Sequence, residues 1–210
     1  MIALSTIFKY LSLIGSFAVV GSLLAMGFLL LDSHGKLSTS AKKLRTMLWI
    51  SGLTWTIGSI GVILFTLATI LDQPLSFALD STVLRSFLTQ ITLGQYLLFQ
   101  TLVALVITFA AIRVNKILTV IALLILTFIG LIAPVFQSHS ASGGSHGLAI
   151  GSLVIHVVAL SLWVGGVITL AILEPEDRPV AVPRFSQLAL WAAIAVVLSG
   201  TANAWARLNF

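Results

Sequence analysis

The chain has 210 residues, of which 59% are hydrophobic, 8% are charged and none is cysteine. A soluble domain carries about 25% charged residues, so this composition excludes a water-soluble globular protein and predicts an integral membrane protein. The lack of cysteine excludes disulfides and thiolate metal sites, and three Met residues are too few for a Met-rich copper channel.

The sequence also lacks the features of common enzymes. It contains no phosphate-binding glycine loop, no nucleophile elbow and no pair of carboxylates within an apolar segment. The net charge of +5 is typical of basic loops on the cytoplasmic side of a membrane protein. We therefore expect neither an enzymatic activity nor a nucleic-acid partner.

Six apolar segments are long enough to cross the hydrocarbon of a bilayer, which takes about 20 helical residues. Because lipid offers no water to unpaired backbone groups, these segments are predicted to be helices rather than strands. The predicted fold class is all-α, a polytopic membrane helix bundle that forms a single integral membrane domain over residues 1–210. The predicted transmembrane helices are 8–31, 47–71, 93–112, 117–136, 149–173 and 185–207.

The second loop contains a shorter amphipathic segment at residues 75–91. Its apolar residues recur near helical spacing, and Asp80, Ser81 and Arg85 stand between them. This pattern predicts one interfacial helix that lies along the membrane surface. An irregular loop is the alternative.

The basic residues of the short loops predict the orientation of the chain. The first, third and fifth loops carry eight Lys and Arg residues, and the other side of the membrane carries three. The three basic loops are therefore predicted to lie in the cytoplasm. The N-terminus and the histidine-bearing fourth loop are then outside.

His156 is the one histidine inside an apolar segment. It lies about seven residues into the fifth predicted helix, roughly 10 Å below its outer end. Ionisable residues at such depth usually face the bundle interior and mark an ion or cofactor pathway. Ser152 and Trp163 are predicted to share its helix face, and Gly165 and Gly166 to allow a helix or a flat ligand to approach closely. The alternative is a neutral imidazole that is hydrogen-bonded to a neighbouring helix.

Three amide side chains lie at depths comparable to that of His156. Gln95 and Gln100 are in the outer part of the third predicted helix, and Asn203 is near the outer end of the sixth. A buried imidazole needs a partner that orients its second nitrogen. These side chains are candidates for that role.

His139 and His146 lie in the fourth loop, above His156, in a run of Ser, Gly and Ala. They are candidates for capturing a metal ion outside the membrane, although loop histidines are more often solvated surface. Imidazole binds copper, zinc, iron and nickel alike, so ligand type alone leaves the metal open. His34, in the first loop, is predicted to face solvent.

The stretch "HGLAIGSLVIHVVALSLWVGGVITLAIL" resembles the signature of the bacterial copper resistance protein D family, in which a histidine early in a helix is followed by Trp-x-Gly-Gly. "LRSFLTQITLGQYLLFQ" and "RFSQLALWAAIAVVLSGTANAW" are also similar to that family. The loop "QSHSASGGSHG" resembles that of members fused to a CtaG-type cytochrome c oxidase assembly domain. The resemblance covers residues 75–207 and is specific around residues 139–205.

The resemblance implies copper uptake across the bacterial inner membrane, or copper delivery there for cytochrome oxidase assembly. It makes His139, His146 and His156 candidate copper ligands. Trp163 and the two glycines match the packing part of the motif. In the family a further helix follows the one that ends near Trp205, so we expect the chain to be a fragment.

Two other functions remain open. A haem-binding redox membrane protein would use His156 as an axial ligand, but bis-His ligation needs a second buried histidine that no other predicted helix contains. An accessory or structural subunit of a respiratory membrane complex would leave the histidines incidental. A Soret band in the purified protein would indicate haem, and co-purification with oxidase subunits would indicate the accessory role.

Overall fold

The structure, a computed structural model, describes residues 2–30, 37, 39–137 and 146–208. Over these ranges the chain is all-α, and six of its helices are long and apolar enough to cross a membrane, which confirms the predicted polytopic bundle. The α-helices are α1 Ile2–Leu24, α2 Thr39–Leu71, α3 Leu75–Ala78, α4 Ser81–Gln90, α5 Thr92–Ala111, α6 Ile117–Ile132, α7 His146–Ile172 and α8 Arg178–Leu208. A π-helical turn, Ala25–Leu29, ends α1, and a 3₁₀ turn, Ala133–Gln137, follows α6.

Two helices begin well before the apolar segments that predicted them. α2 begins eight residues before the predicted start at residue 47, and α8 begins seven residues before residue 185. Hydropathy marks only the part of a helix that lies in hydrocarbon, so it misses the first turns of α2 and α8, which carry Lys and Arg residues. Lys43 and Arg184 therefore lie in helices rather than in loops.

The amphipathic segment 75–91 is helical, but it forms two helices instead of the single helix predicted. Asp80 is extended, with φ −60° and ψ 125°, and its carboxylate accepts hydrogen bonds from the backbone N–H groups of Thr82 and Val83 at 2.9 and 3.1 Å. Such an N-cap starts a new helix, which divides the segment into α3 and α4. Phe87 of α4 is buried against α2 and α5.

α1 is the central helix of the bundle and packs against α2, α6 and α7. In its most apolar window 72% of the residues are buried, compared with 17% in that of α8. Glycines allow the closest approach: a Cβ on Gly165 of α7 would overlap the carbonyl oxygen of Phe17, and a Cβ on Gly21 would overlap the carbonyl oxygen of Gly165. The small residues thus bring the backbones of α1 and α7 together, as is common in membrane bundles.

Polar contacts join the helix ends on the side of the basic loops. Lys43 of α2 forms an ion pair with Glu174 at 2.8 Å, and Arg45 donates a hydrogen bond to Asn115. Arg184 Nη1 donates to the carbonyl oxygen of Leu29, at the end of the π turn, at 2.9 Å. Because the ion pair is exposed, it contributes little stability. Together these contacts bring the first, third and fifth loops to one end of the bundle.

Two single Gly→Ala variants of α7 test the contact between α1 and α7. We expect Gly165→Ala to lower the free energy of unfolding by about 1–3 kcal/mol, the usual cost of overpacking, because the new Cβ meets backbone atoms. Gly151→Ala is the matched control, since nothing lies within 4 Å of a Cβ there. Thermal unfolding of the two variants in detergent measures the difference, and equal stability would contradict this packing.

Candidate metal site

His156 lies deeper in its helix than the sequence predicted. α7 begins at His146 rather than at residue 149, so His156 is ten residues from the helix start, about 15 Å along the axis. The residue is half-buried. Its depth and partial burial place the imidazole between two helices rather than in bulk lipid.

The imidazole of His156 is held by α8. Its Nδ1 lies 3.2 Å from the carbonyl oxygen of Val196 and 3.2 Å from Ser199 Oγ. A carbonyl oxygen can only accept, so Nδ1 carries a proton in this arrangement, and in the neutral tautomer with that proton the lone pair is on Nε2. The Ser199 hydroxyl donates to the carbonyl oxygen of Ala195, which leaves its oxygen free to accept from Nδ1. Nε2 has no hydrogen-bond partner among the described residues.

The face of α8 that meets His156 carries two further features. A Cβ on Gly200 would lie 3.5 Å from Cε1 of the imidazole, so the ring lies close to the α8 backbone. Asn203 is one turn beyond Ser199 on the same helix face, and its Oδ1 is buried without a hydrogen-bond partner within the described part of the chain. An unsatisfied buried oxygen costs about 1–3 kcal/mol, which makes it an acceptor available to a bound ion or donor.

Gln95 and Gln100, which were candidates because they lie at the depth of His156 in the membrane, do not orient its imidazole. Gln95 donates instead to the backbone carbonyl of Thr89 at 2.7 Å. Gln100 is on α5, which packs mainly against α2, α4 and α6, and it makes no hydrogen bond to His156. Ser199 and Val196 were missed, although the short α7–α8 connection was a usable signal: a short loop makes consecutive helices antiparallel neighbours.

The other predicted site residues on α7 lie in environments that differ from one another. Ser152 is buried and donates to the carbonyl oxygen of Ala149 at 3.0 Å. Trp163 is 39% exposed on the outside of the bundle. A Cβ on Gly166 would overlap the ring of Phe185 on α8. Both glycines of the motif therefore lie against other helices, with no space for a flat ligand beside them.

A comparison with models of known protein families identifies the family of this chain. The family model described as "Copper resistance protein D-like, N-terminal domain" matches residues 1–148. The chain belongs to this family. No curated protein and no solved structure matches the chain.

The match to the copper resistance protein D-like family overlaps the range that the sequence motifs indicated only over residues 75–148. We predicted a resemblance over residues 75–207 that was specific around residues 139–205, whereas the match includes the first two helices and ends at residue 148. His139 and His146 lie within the matched range. His156 and the Trp-x-Gly-Gly motif lie beyond it.

The two loop histidines of this family member have no described side-chain geometry. His139 lies outside the described residues, and His146 is known only as the first residue of α7. The Cα atoms of His146 and His156 are about 15 Å apart along α7, too far for both imidazoles to bind one ion. No group of three or more His, Asp or Glu residues that could hold a metal ion is found in the described ranges.

The hydrogen bonds of His156 predict its tautomer. In a variant that keeps only this histidine, with Asn at positions 34, 139 and 146, we expect the Nδ1–H tautomer because the Val196 carbonyl accepts from Nδ1. Nitrogen-15 NMR of the histidine-labelled protein in lipid distinguishes the two tautomers. A signal from the Nε2–H form would contradict this arrangement.

Proposed function

We propose that this protein handles copper at a bacterial cell membrane and that His156 is the ligand inside the bundle that receives the ion. Membership of the copper resistance protein D-like family supports a copper-related membrane role. The observation that carries the residue assignment is the bond from Nδ1 to the Val196 carbonyl. Histidines that bind metals almost always donate their other ring N–H in this way.

The arrangement around His156 suits a transient copper ligand. Neutral imidazole is a good ligand for copper, and the lone pair of Nε2 is left for the ion by the hydrogen bonds of Nδ1. Asn203 Oδ1, buried and unpartnered, offers a weak oxygen donor one turn further along α8. One imidazole and one amide oxygen hold an ion less tightly than a complete structural site does, as passage or delivery requires.

We further propose that His139 and His146 capture the ion on the outer side and pass it to His156. The separation of about 15 Å along α7 makes capture and reception successive steps rather than one coordination sphere. The basic ends of α2 and α8 would then face the cytoplasm. The ion would be taken up across the inner membrane or delivered there for oxidase assembly.

Copper binding by purified protein tests the role of His156. In protein that carries Asn at positions 139 and 146, so that the loop histidines bind no copper, we expect His156→Ala to lower the copper-to-protein ratio roughly tenfold or more, because loss of even a supporting group costs about 10–100-fold in affinity. Mass spectrometry of the metal content of purified protein equilibrated with a limiting concentration of copper gives the ratio. Cellular copper uptake provides a second measurement.

His34→Ala is the matched control, since it removes an imidazole from the predicted cytoplasmic loop and should leave the ratio unchanged. Size-exclusion chromatography in detergent checks that each variant is inserted and folded. An unchanged copper ratio in folded His156→Ala protein would overturn the proposal. A Soret band in the wild-type spectrum would indicate haem at His156 instead.

A second proposal, an accessory subunit of a respiratory complex, is supported by the low burial of α8. Only 17% of its most apolar window is buried, compared with 72% for α1, which leaves a large apolar face for a partner helix. Co-purification with cytochrome c oxidase or its assembly factors tests this role. Unchanged copper content in His156→Ala together with such co-purification would favour it over copper handling.

A further inference from the structure

A long apolar groove runs along α7 and α8 on the outside of the bundle. Its volume is about 640 Å³. It is lined by Val158 and Leu162 of α7 and by Leu188 and Ala195 of α8, among others. The only charged residue that lines it is Arg184, in the first turns of α8. The groove therefore combines an apolar channel with one fixed positive charge near the basic end of the bundle.

Arg184 is held in place by the end of α1. The π turn closes with a bond from the Leu30 N–H to the Ala25 carbonyl oxygen at 2.9 Å, and the carbonyl oxygen of Leu29, at the end of the turn, accepts from Arg184 Nη1 at 2.9 Å. Nε and Nη2 of the guanidinium make no hydrogen bond within the described residues. Two donor groups of a positioned guanidinium are thus left for an anion. Phosphate is the oxyanion that such a planar fork suits, besides carboxylate.

The dimensions of the groove match one leaflet of a membrane. From Arg184 to Ala195 is eleven residues of α8, about 16 Å along the axis, and half of a hydrocarbon core is about 15 Å. An open groove of this length is long enough to hold an acyl chain along the two helices.

We propose that the groove is a glycerophospholipid site, in which Arg184 binds the lipid phosphate and the apolar channel holds an acyl chain. Basic pockets between membrane helices on the cytoplasmic side are known to bind lipid head groups. Gln187, one turn after Arg184 and also lining the groove, offers an amide for the glycerol or ester oxygens. The lipid would lie against both α7 and α8 and brace the two helices.

Native mass spectrometry of the full chain in detergent tests the site. The protein is delipidated and then titrated with dioleoyl phosphatidylglycerol. We expect one lipid to bind to wild type and its apparent affinity to fall roughly tenfold or more in Arg184→Gln, since a hydrogen bond to a charged group contributes about 1.5–3 kcal/mol. Arg113→Gln is the matched control: it removes an exposed Arg on the same side that does not line the groove.

Val158→Trp fills the channel without touching Arg184 and should also abolish the bound lipid. If Arg184→Gln fails to fold because it loses the contact with Leu29, lipid binding by Val158→Trp tests the proposal in its place. Equal lipid binding by wild type and by the folded variants would overturn the proposal. So would saturation of the site by inorganic phosphate alone, or a lipid-free dimer whose second copy covers the groove.

Discussion

The hydrocarbon of a bilayer cannot hydrogen-bond to a polar group, so each polar side chain within the membrane has to find its hydrogen-bond partner in the protein. Most of the buried hydroxyls in the described part of the chain bond to a carbonyl three or four residues earlier in their own helix, as Ser161, Thr108 and Thr127 do. His156 makes no such bond to its own helix in the described part of the chain. Its acceptors belong to α8 instead. The one titratable group deep in α7 therefore also joins α7 to α8 by hydrogen bonds.

The two sides of α7 differ for the same physical reason. Towards α1 the contact consists of backbone against backbone at Gly21 and Gly165, which excludes both water and ligands. Towards α8 the contact contains an imidazole, a serine hydroxyl and the unpartnered amide oxygen of Asn203. Tight apolar packing on one side thus gives α7 a rigid support, and the polar contacts on the other side bring together an imidazole and oxygen atoms suited to an ion.

Sequence reasoning predicted the helices well and the contacts between them poorly. Six spans and an all-α bundle follow from hydropathy, because each span must satisfy its backbone within itself. The divided segment 75–91 was missed because Asp80 acts as an N-cap, which amphipathic spacing does not reveal. The glutamines were favoured as partners of His156 because depth is readable from sequence, whereas the neighbour of a helix is not.

The sequence by itself determined that the protein lies in a membrane, that its basic residues are concentrated at one end of the bundle, and that one imidazole is inside a span. Each of these depends on composition along a single helix. Only the tertiary structure decided that Val196 and Ser199 hold that imidazole, that the Gly-Gly pair packs against helices, and that Arg184 stands at the end of a groove. These facts depend on how each helix is rotated and crossed against its neighbours, and that is set by side-chain packing across the whole bundle.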